Sequence, residues 1–573
     1  MSYFIKETHR KGDLYYQIYE GHYDKEKGYS VQTSYKVLGY LSDLKSKGID
    51  NPKEYYKEEV NKLNLQEKED KKAKRFETIK DNSLKRYVGY FPVKEVLEKL
   101  EVKKDLDLFN GVTGFKFNLY EMLSALLFSR IVCPCSKKAT FESVIPQLYT
   151  KYSYSYDQIL EACEYFGIQY EKIVDIFTLR VKEKYGVDTS KTYFDCTNFY
   201  FEIDREDDFR RKGPSKENRK DPIVGLGLLL DKDMIPINMT LYPGNESEKP
   251  YIRKAIDKMK TSLGVKGKTI QVADKGLNCA KNIYEAKGYK DGYIFSKSIK
   301  LLKDTEKAWV FKENDNTWIL APSGSYYYKE CVDTFEYKFK DEQDKEIIFH
   351  VKEKRVVTFN PTLKVKQKRE IDKLVKAAKE KTLSKAKKDE YGDAAKFVKF
   401  VSKDNKDISA KPVINYEAIE EAYKYCGYNM LVTSETALDS LEIYKVYHNL
   451  WRIEETFRAM KTDLETRPVF LQKESTIKGH FLICYLAILI VRIIQFKELK
   501  DEFCTNDIIN FIRKFIVVEN PSVGEFLNIG EYNKLYDKYN EKYGIMLHLF
   551  KLKSRDFKTL GLYSLSLFSL SEH

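Results

Sequence analysis

The spacing of apolar positions changes several times along the chain, and each change marks a different kind of element. From Asp13 to about Leu41, Tyr, Ile and Val mix with turn residues such as Asp24, Lys25 and Gly28, which predicts a small antiparallel β unit. Glu54 to Phe76 is charged and helical in period, and its run Glu67-Lys68-Glu69-Asp70-Lys71-Lys72 reads as a solvated face. From Val93 to Tyr185 helical periodicity dominates, with apolar clusters such as Met122 to Phe128. At Thr192 the pattern turns to strands. Thr192-Tyr193-Phe194-Asp195 is one, Ile223 to Leu230 a second and Ile235 to Tyr242 a third, closed by Pro243-Gly244-Asn245. Ser247 to Ser262 is then helical, and Thr269 to Ala273 is a short strand ending on Asp274. A helix capped by Asn278 runs to about Ala286, and Tyr293 to Phe295 is a fifth strand.

That order, βββαβαβ, predicts an α/β fold with a ribonuclease-H-like mixed sheet. Its first and fourth strands lie side by side at the centre and carry Asp195 and Asp274 at their ends. Beyond Ser298, Ala308 to Phe311 and Thr317 to Leu320 flank the turn-rich Glu313-Asn314-Asp315-Asn316 and read as a β hairpin. A basic helical segment from Lys364 to Lys388 lies in the same stretch. The predicted organisation is therefore an N-terminal β unit and charged helix over 1–90 and a helical region, a possible DNA-binding module, over 91–188. The first part of the mixed-sheet core follows over 189–297, a β-rich insertion domain over 298–440 and the rest of the core over 441–515. A tail, a possible dimerisation region, completes the chain over 516–573.

A length of 573 residues is consistent with several domains. A net charge of +13 points to a partner with dense negative charge, of which nucleic acid is the commonest. The nine cysteines lack paired CxxC spacing and read as reduced thiols, Cys133-Pro134-Cys135 being the one close pair. The N-terminal residues lack the zones of a signal peptide. The apolar run Phe481 to Val491, ended by Arg492, is short of a bilayer span and predicts a buried helix. A cytoplasmic protein with neither membrane nor small-molecule substrate is the expectation.

The segment Tyr447 to Lys461 carries the candidate chemistry. On a single α-helix Tyr447, Trp451, Glu454, Arg458 and Lys461 share an arc of about 80°, beside an apolar arc of Leu450, Ile453, Phe457, Met460 and Leu464. A plain amphipathic helix with a Glu454–Arg458 ion pair would produce the same pattern. The segment resembles the Tyr-x2-Arg-x3-Glu-x6-Lys signature of bacterial insertion-sequence transposases of the DDE type, the IS-four group. Tyr447, Glu454 and Lys461 match it; the Arg position is Leu450 here, with Arg452 or Arg458 as alternative sources of charge. The resemblance extends to Tyr193 to Thr197, Gly213 to Arg219, Pro243-Gly244-Asn245, Val272 to Gly276 and Gly479-His480-Phe481, covering roughly residues 190 to 495.

The resemblance implies that Asp195, Asp274 and Glu454 are catalytic and hold two Mg²⁺ or Mn²⁺ ions, Asp195 bridging both. Two hard cations held by carboxylates can stabilise the attacking and leaving oxygens of a phosphodiester. Tyr447, Arg452, Arg458 and Lys461 become candidates for DNA contacts. Trp309 and Trp318 could stack an extruded base or simply pack, and His480 reads as a core histidine. The implied function is cut-and-paste transposition: binding of terminal inverted repeats, strand cleavage and strand transfer, by a homodimer on DNA. The alternatives are a metal-dependent nuclease of the same fold and a domesticated DNA-binding protein without catalysis.

Overall fold

A computed structural model of the chain describes residues 2–24, 29–77, 84–217, 220–312, 317–380, 388–401, 411–520, 525–549 and 551–562. They form two compact units, one of Met1–Val88 with Phe515–Leu562 and one that includes Gly89–Lys514.

The smaller unit opens with strands β1 (Ser2–Arg10), β2 (Asp13–Asp24) and β3 (Tyr29–Tyr40), an antiparallel sheet in that order. The turn between β1 and β2 puts Lys11 and Gly12 at φ of 50° and 81°, a reversal that glycine eases. Tyr16, Leu44 and Ile49 make its small core, and the charged helix Lys57–Glu77 follows. Strand β4 (Lys85–Tyr87) ends this part.

The larger unit is built on one sheet. Strands β5 (Lys191–Tyr200), β6 (Ile223–Leu230), β7 (Pro236–Pro243), β8 (Ile270–Ala273) and β9 (Gly292–Ser296) come first. Strands β10 (Ile319–Leu320), β11 (Tyr327–Lys340), β12 (Glu346–Phe359) and β15 (Tyr428–Thr433) join the same sheet, and β13 (Val398–Val401) pairs separately with β14 (Lys411–Ile414). The nine-stranded order is β10-β11-β12-β15-β9-β8-β5-β6-β7. Within it β5, β8 and β9 run parallel, while β6 is antiparallel to both β5 and β7. Every residue of β6 is buried, as a strand covered on both faces requires. Of the strands between 298 and 440, β10, β11, β12 and β15 extend this sheet through the pairing of β15 with β9, while β13 and β14 form a pair of their own.

The predicted hairpin at 308–320 is corrected. Asp304–Phe311 is a helix whose first turn carries Asp304 and Glu306 and whose Val310 is fully buried in the core. The Glu306 carboxylate accepts the Lys303 N–H and closes the helix start, so capping and one buried contact outweigh local β propensity. The proposed turn, Glu313 to Asn316, lies outside the described residues. Within β10, Ile319 and Leu320 pair with β11. The basic segment is the helix Pro361–Glu380, and residues 381–387 again lie outside the described set.

The helices of 91–188 belong to the same unit as the sheet. They collect around the helix Glu474–Ile493, buried along nearly its whole length. That helix is long and apolar enough to cross a membrane, but 94% of its apolar window is buried inside the protein, as in the core of a folded domain. Gly479 fixes its closest approach: a Cβ there would stand 1.9 Å from the Cys163 carbonyl oxygen, and one at Gly167 would stand 1.6 Å from that of Ser475. The helix Tyr156–Ile168 and the central helix thus touch backbone to backbone.

The chain after Lys514 returns to the smaller unit. Strands β16 (Ile516–Asn520), β17 (Glu525–Asn528) and β18 (Lys551–Lys553) complete a sheet of order β18-β17-β16-β4.

Candidate active site

Strand pairing sets the height of the first two carboxylates. Lys191, Thr192 and Tyr193 of β5 stand opposite Ile270, Gln271 and Val272 of β8. Asp195 and Asp274 each follow two residues after the last of these pairs, which sets them at one level. Asp274 follows the end of β8, whereas β5 runs on to Tyr200, so Asp195 lies mid-strand opposite Leu228 of β6 and not at a strand end as the sequence predicts. Glu454 arrives from the helix Trp451–Arg458. All three line one cavity of about 610 Å³, together with Tyr447, Lys216, Glu217, Arg458, Lys461 and Arg467.

Tyr447 and Glu454 do not share one continuous helix. Tyr447 lies in the last turn of the helix Ser440–His448, Asn449 and Leu450 turn, and Trp451 starts again. After Arg458 the chain makes a π turn over Ala459–Asp463, with the Leu464 N–H reaching the Ala459 carbonyl at 2.8 Å. The extra residue in that turn re-aims Lys461, and Lys461 still lines the cavity. Among the described residues Glu454 and Arg458 form no ion pair with one another; both are exposed at the cavity.

Two residues to which sequence reasoning gave no role, Lys216 and Glu248, join the carboxylates. The Lys216 ammonium lies 3.7 Å from Asp195 Oδ1 and 3.5 Å from Glu248 Oε2, and donates to the Cys196 carbonyl. Its loop is pinned by Asn198 of β5, whose Nδ2 donates to the Pro214 carbonyl and whose Oδ1 accepts the Lys216 N–H. Glu248 lies against the turn after β8, 2.8 Å from where a Cβ on Gly276 would be. Gly213 and Gly244, in two segments that the resemblance singled out, meet backbone to backbone. Asn218 and Arg219 of the first segment lie outside the described residues.

Burial pushes Asp195 up to about 6, against the pull of Lys216 and the Cys196 N–H, with Glu248 and Asp274 adding to the rise. Burial acts to lower Lys216, but Asp195 and Glu248 outweigh it and the ammonium is held above its ordinary value. The Tyr447 hydroxyl donates to Asp274 Oδ1 at 2.8 Å, and burial together with that carboxylate raises its pKa. Lys461 is lowered by burial despite Glu217 at 3.0 Å. Glu217 also holds Arg467, whose guanidinium stacks on Tyr200 at 4.8 Å. Sequence reasoning passed over Arg467 because it leaves a loop after the π turn, outside any periodic pattern.

Arg452 stands apart from this group. It pairs with Asp501 at 2.6 Å and Glu455 at 3.3 Å and lies over Trp451 at 4.1 Å, on the side of its helix that faces Arg492 and Phe496. Arg467, not Arg452, brings the extra cation to the cavity. Leu450, at the Arg position of the signature, is buried. Trp309 and Trp318 pack at the core edge with Lys329 over both rings, at 5.3 and 4.4 Å, and Trp318 donates to the Lys312 carbonyl. Their faces are in use as packing surfaces. His480 is buried, with Nε2 donating to the Thr466 carbonyl at 2.9 Å.

The donors converging here are hard oxygens, the kind that Mg²⁺ and Mn²⁺ take. Among the described residues, no three carboxylates, imidazoles or thiols stand close enough together to hold one ion as they are. An ammonium instead lies against Asp195 and Glu248, and a phenol against Asp274, so the oxygens are already engaged with positive or donor groups. The sequence matches no protein-family model and no curated protein.

Proposed function

We propose that the chain is a DNA transposase of the DDE type, with β7-β6-β5-β8-β9 as a ribonuclease-H-like core. The observation that carries this reading is the shared cavity of Asp195, Asp274 and Glu454, three acids far apart in sequence, ringed by Lys216, Arg458, Lys461 and Arg467. Acids grouped with cations suit a phosphodiester, which needs its charged oxygens bound and its reacting oxygens activated.

Asp195, Asp274 and Glu454, with Glu248 as a fourth oxygen donor, are the residues that would hold divalent cations. When bound, two such ions supply activation of the attacking oxygen and charge neutralisation at the leaving one. The protein's own groups do the rest. Lys216 and Tyr447 keep the carboxylates in place before loading and must yield their oxygens on loading. Arg458, Lys461 and Arg467 bind strand phosphates, and Trp451, 48% exposed at the cavity mouth, offers a face to a sugar or base. Joining two transposon ends requires two copies in one complex, so the working form on DNA is a homodimer.

The test supplies a pre-cut element end, a target plasmid and Mg²⁺. Joined product is expected, and Glu454→Gln should abolish it while DNA binding persists. Cutting without joining would identify a nuclease. DNA binding with neither step, in wild type and Glu454→Gln alike, would identify a binding protein without catalysis.

A further inference from the structure

A second cavity, of about 450 Å³, shares Arg467 with the catalytic one and is lined also by Arg130, Lys137, Lys138 and His480. Its floor is cationic and buried: Arg130 is 5% exposed and Lys137 7%. Among the described residues neither has a carboxylate partner. Arg130 gives its terminal nitrogens to the Cys135 carbonyl at 2.9 Å and the Leu464 carbonyl at 3.5 Å, and its Nε has no partner at all. Lys137 Nζ meets His480 Nδ1 at 3.4 Å. Because the Thr466 carbonyl can only accept, His480 Nε2 carries the proton, and burial beside two cations keeps the ring neutral, so Nδ1 accepts from Lys137. A neutral ring cannot balance the lysine's charge. The one acid on the wall, Glu465, is exposed and pairs with neither cation.

Burial, with Arg130 beside it, lowers the Lys137 ammonium from its ordinary value. Two buried cations without a counter-ion are unfavourable unless one gives up its proton or something else supplies negative charge, and an anion in the cavity would hold Lys137 charged. The neighbouring Cys135 thiol is brought down to about 6, first by its hydrogen bond with Cys133, against burial, with Thr140 and then Arg130 and Lys137 adding smaller pulls.

We propose that this cavity is a phosphate-binding site, and that its occupant is a backbone phosphate of the DNA strand that enters the catalytic cavity on the other side of Arg467. The phosphate chemistry stands on Arg130 and Lys137 alone; the DNA as its source rests on the transposase reading. Arg130 offers its idle Nε–H and the hydrogens its terminal nitrogens do not give to the Cys135 and Leu464 carbonyls, Lys137 a point charge, and Lys138 a further cation on the wall.

The test uses the full chain in chloride buffer without divalent cations and titrates inorganic phosphate by calorimetry. Saturable binding is expected, weakened at least ten-fold by Lys137→Met and by Arg130→Met. Without phosphate, Lys137→Met should melt no lower than wild type, because it removes an unpaired charge; a purely structural lysine would show a loss. Absence of phosphate binding to wild type, or undiminished binding by both variants, overturns the proposal, and the wild-type titration needs no variant to fold. A short DNA duplex should compete with phosphate on wild type and bind more weakly to Lys137→Met; phosphate binding that DNA does not displace overturns DNA as the occupant. If wild type neither cuts nor joins DNA but binds phosphate through Lys137, the transposase reading fails and the phosphate site remains.

Discussion

In the proposed function Lys216, between Asp195 and Glu248, stands in the place of a divalent cation, so replacing it tests that reading directly. In Lys216→Met the side chain keeps its length and loses its charge. At 3.7 and 3.5 Å from Asp195 and Glu248, bare Coulomb attraction at an effective dielectric of 20 is about 4 to 5 kcal/mol per pair. The lysine side chain is 43% exposed, however, and pairs open to solvent are worth about 0.2–1 kcal/mol each once screening and side-chain entropy are counted. Two such pairs give about 1 kcal/mol of competition, so the variant should bind Mn²⁺ or Mg²⁺ about five-fold more tightly. The effect has a pH condition. Lys216 is what holds Asp195 down to about 6 against burial, so its removal also strengthens the competing proton, and the full gain appears only well above pH 6. Calorimetric titration of Mn²⁺ into chelator-treated protein at pH 8 and at pH 6 measures both. Equal or weaker affinity in the variant at pH 8 would refute Lys216 as the group a metal displaces.

Asp195 also makes stability depend on pH. Its folded-state pKa, about 6, lies above the ordinary carboxylate value, so its contribution is fully present below about pH 4 and is lost as pH rises through 6, by at most about 3 kcal/mol. In chelator the melting temperature should fall across that window by more than in an Asp195→Asn variant, and added Mg²⁺ should restore it at pH 7.5; equal profiles would remove Asp195 as the titrating group. Gly479→Ala puts a methyl 1.9 Å from the Cys163 carbonyl oxygen, which forces two buried helices apart. A loss of more than about 3 kcal/mol in denaturant unfolding is expected, and a near-neutral result would show that these helices do not meet as closely as described.

Much of the sheet was legible because β strands with covered faces are dense in Ile, Leu and Val, and because Asp274 directly follows such a run; Asp195, read as a strand end, lies mid-strand because β5 continues through Cys196 to Tyr200. The cavity's first four named members, Asp195, Asp274, Glu454 and Tyr447, came from pattern and resemblance together. Lys216 stands in a segment the resemblance singled out, but its role and that of Glu248 were hidden because each sits in or beside a loop, and the Asn198 bridges, the contact at Gly276 and the Lys216 ammonium itself gather them at the carboxylates. Arg452 and Arg458 stood as alternatives for the charge missing at Leu450, and sequence alone could not choose between them: Arg458 lines the cavity, while Asp501 and Glu455 engage the Arg452 guanidinium, pairings that no local pattern contains. The segment Ala308 to Phe311 has strand-like composition but folds as a helix, since burial of Val310 is a long-range fact that no local window contains. The pairing of β15 with β9 joins residues more than 130 positions apart and leaves no periodic trace.

That last pairing governs how the molecule can be taken apart. Because Leu431, Val432 and Thr433 hydrogen-bond alongside Ser296, Phe295 and Ile294, trimming the gene at 298 and 440 would leave two raw, apolar strand margins, each a template for sticking to the next molecule. A soluble fragment has to carry both halves of this seam, and any motion that opens the cleft beside Asp274 has to bend the whole ribbon of strands or come from the helices resting on it.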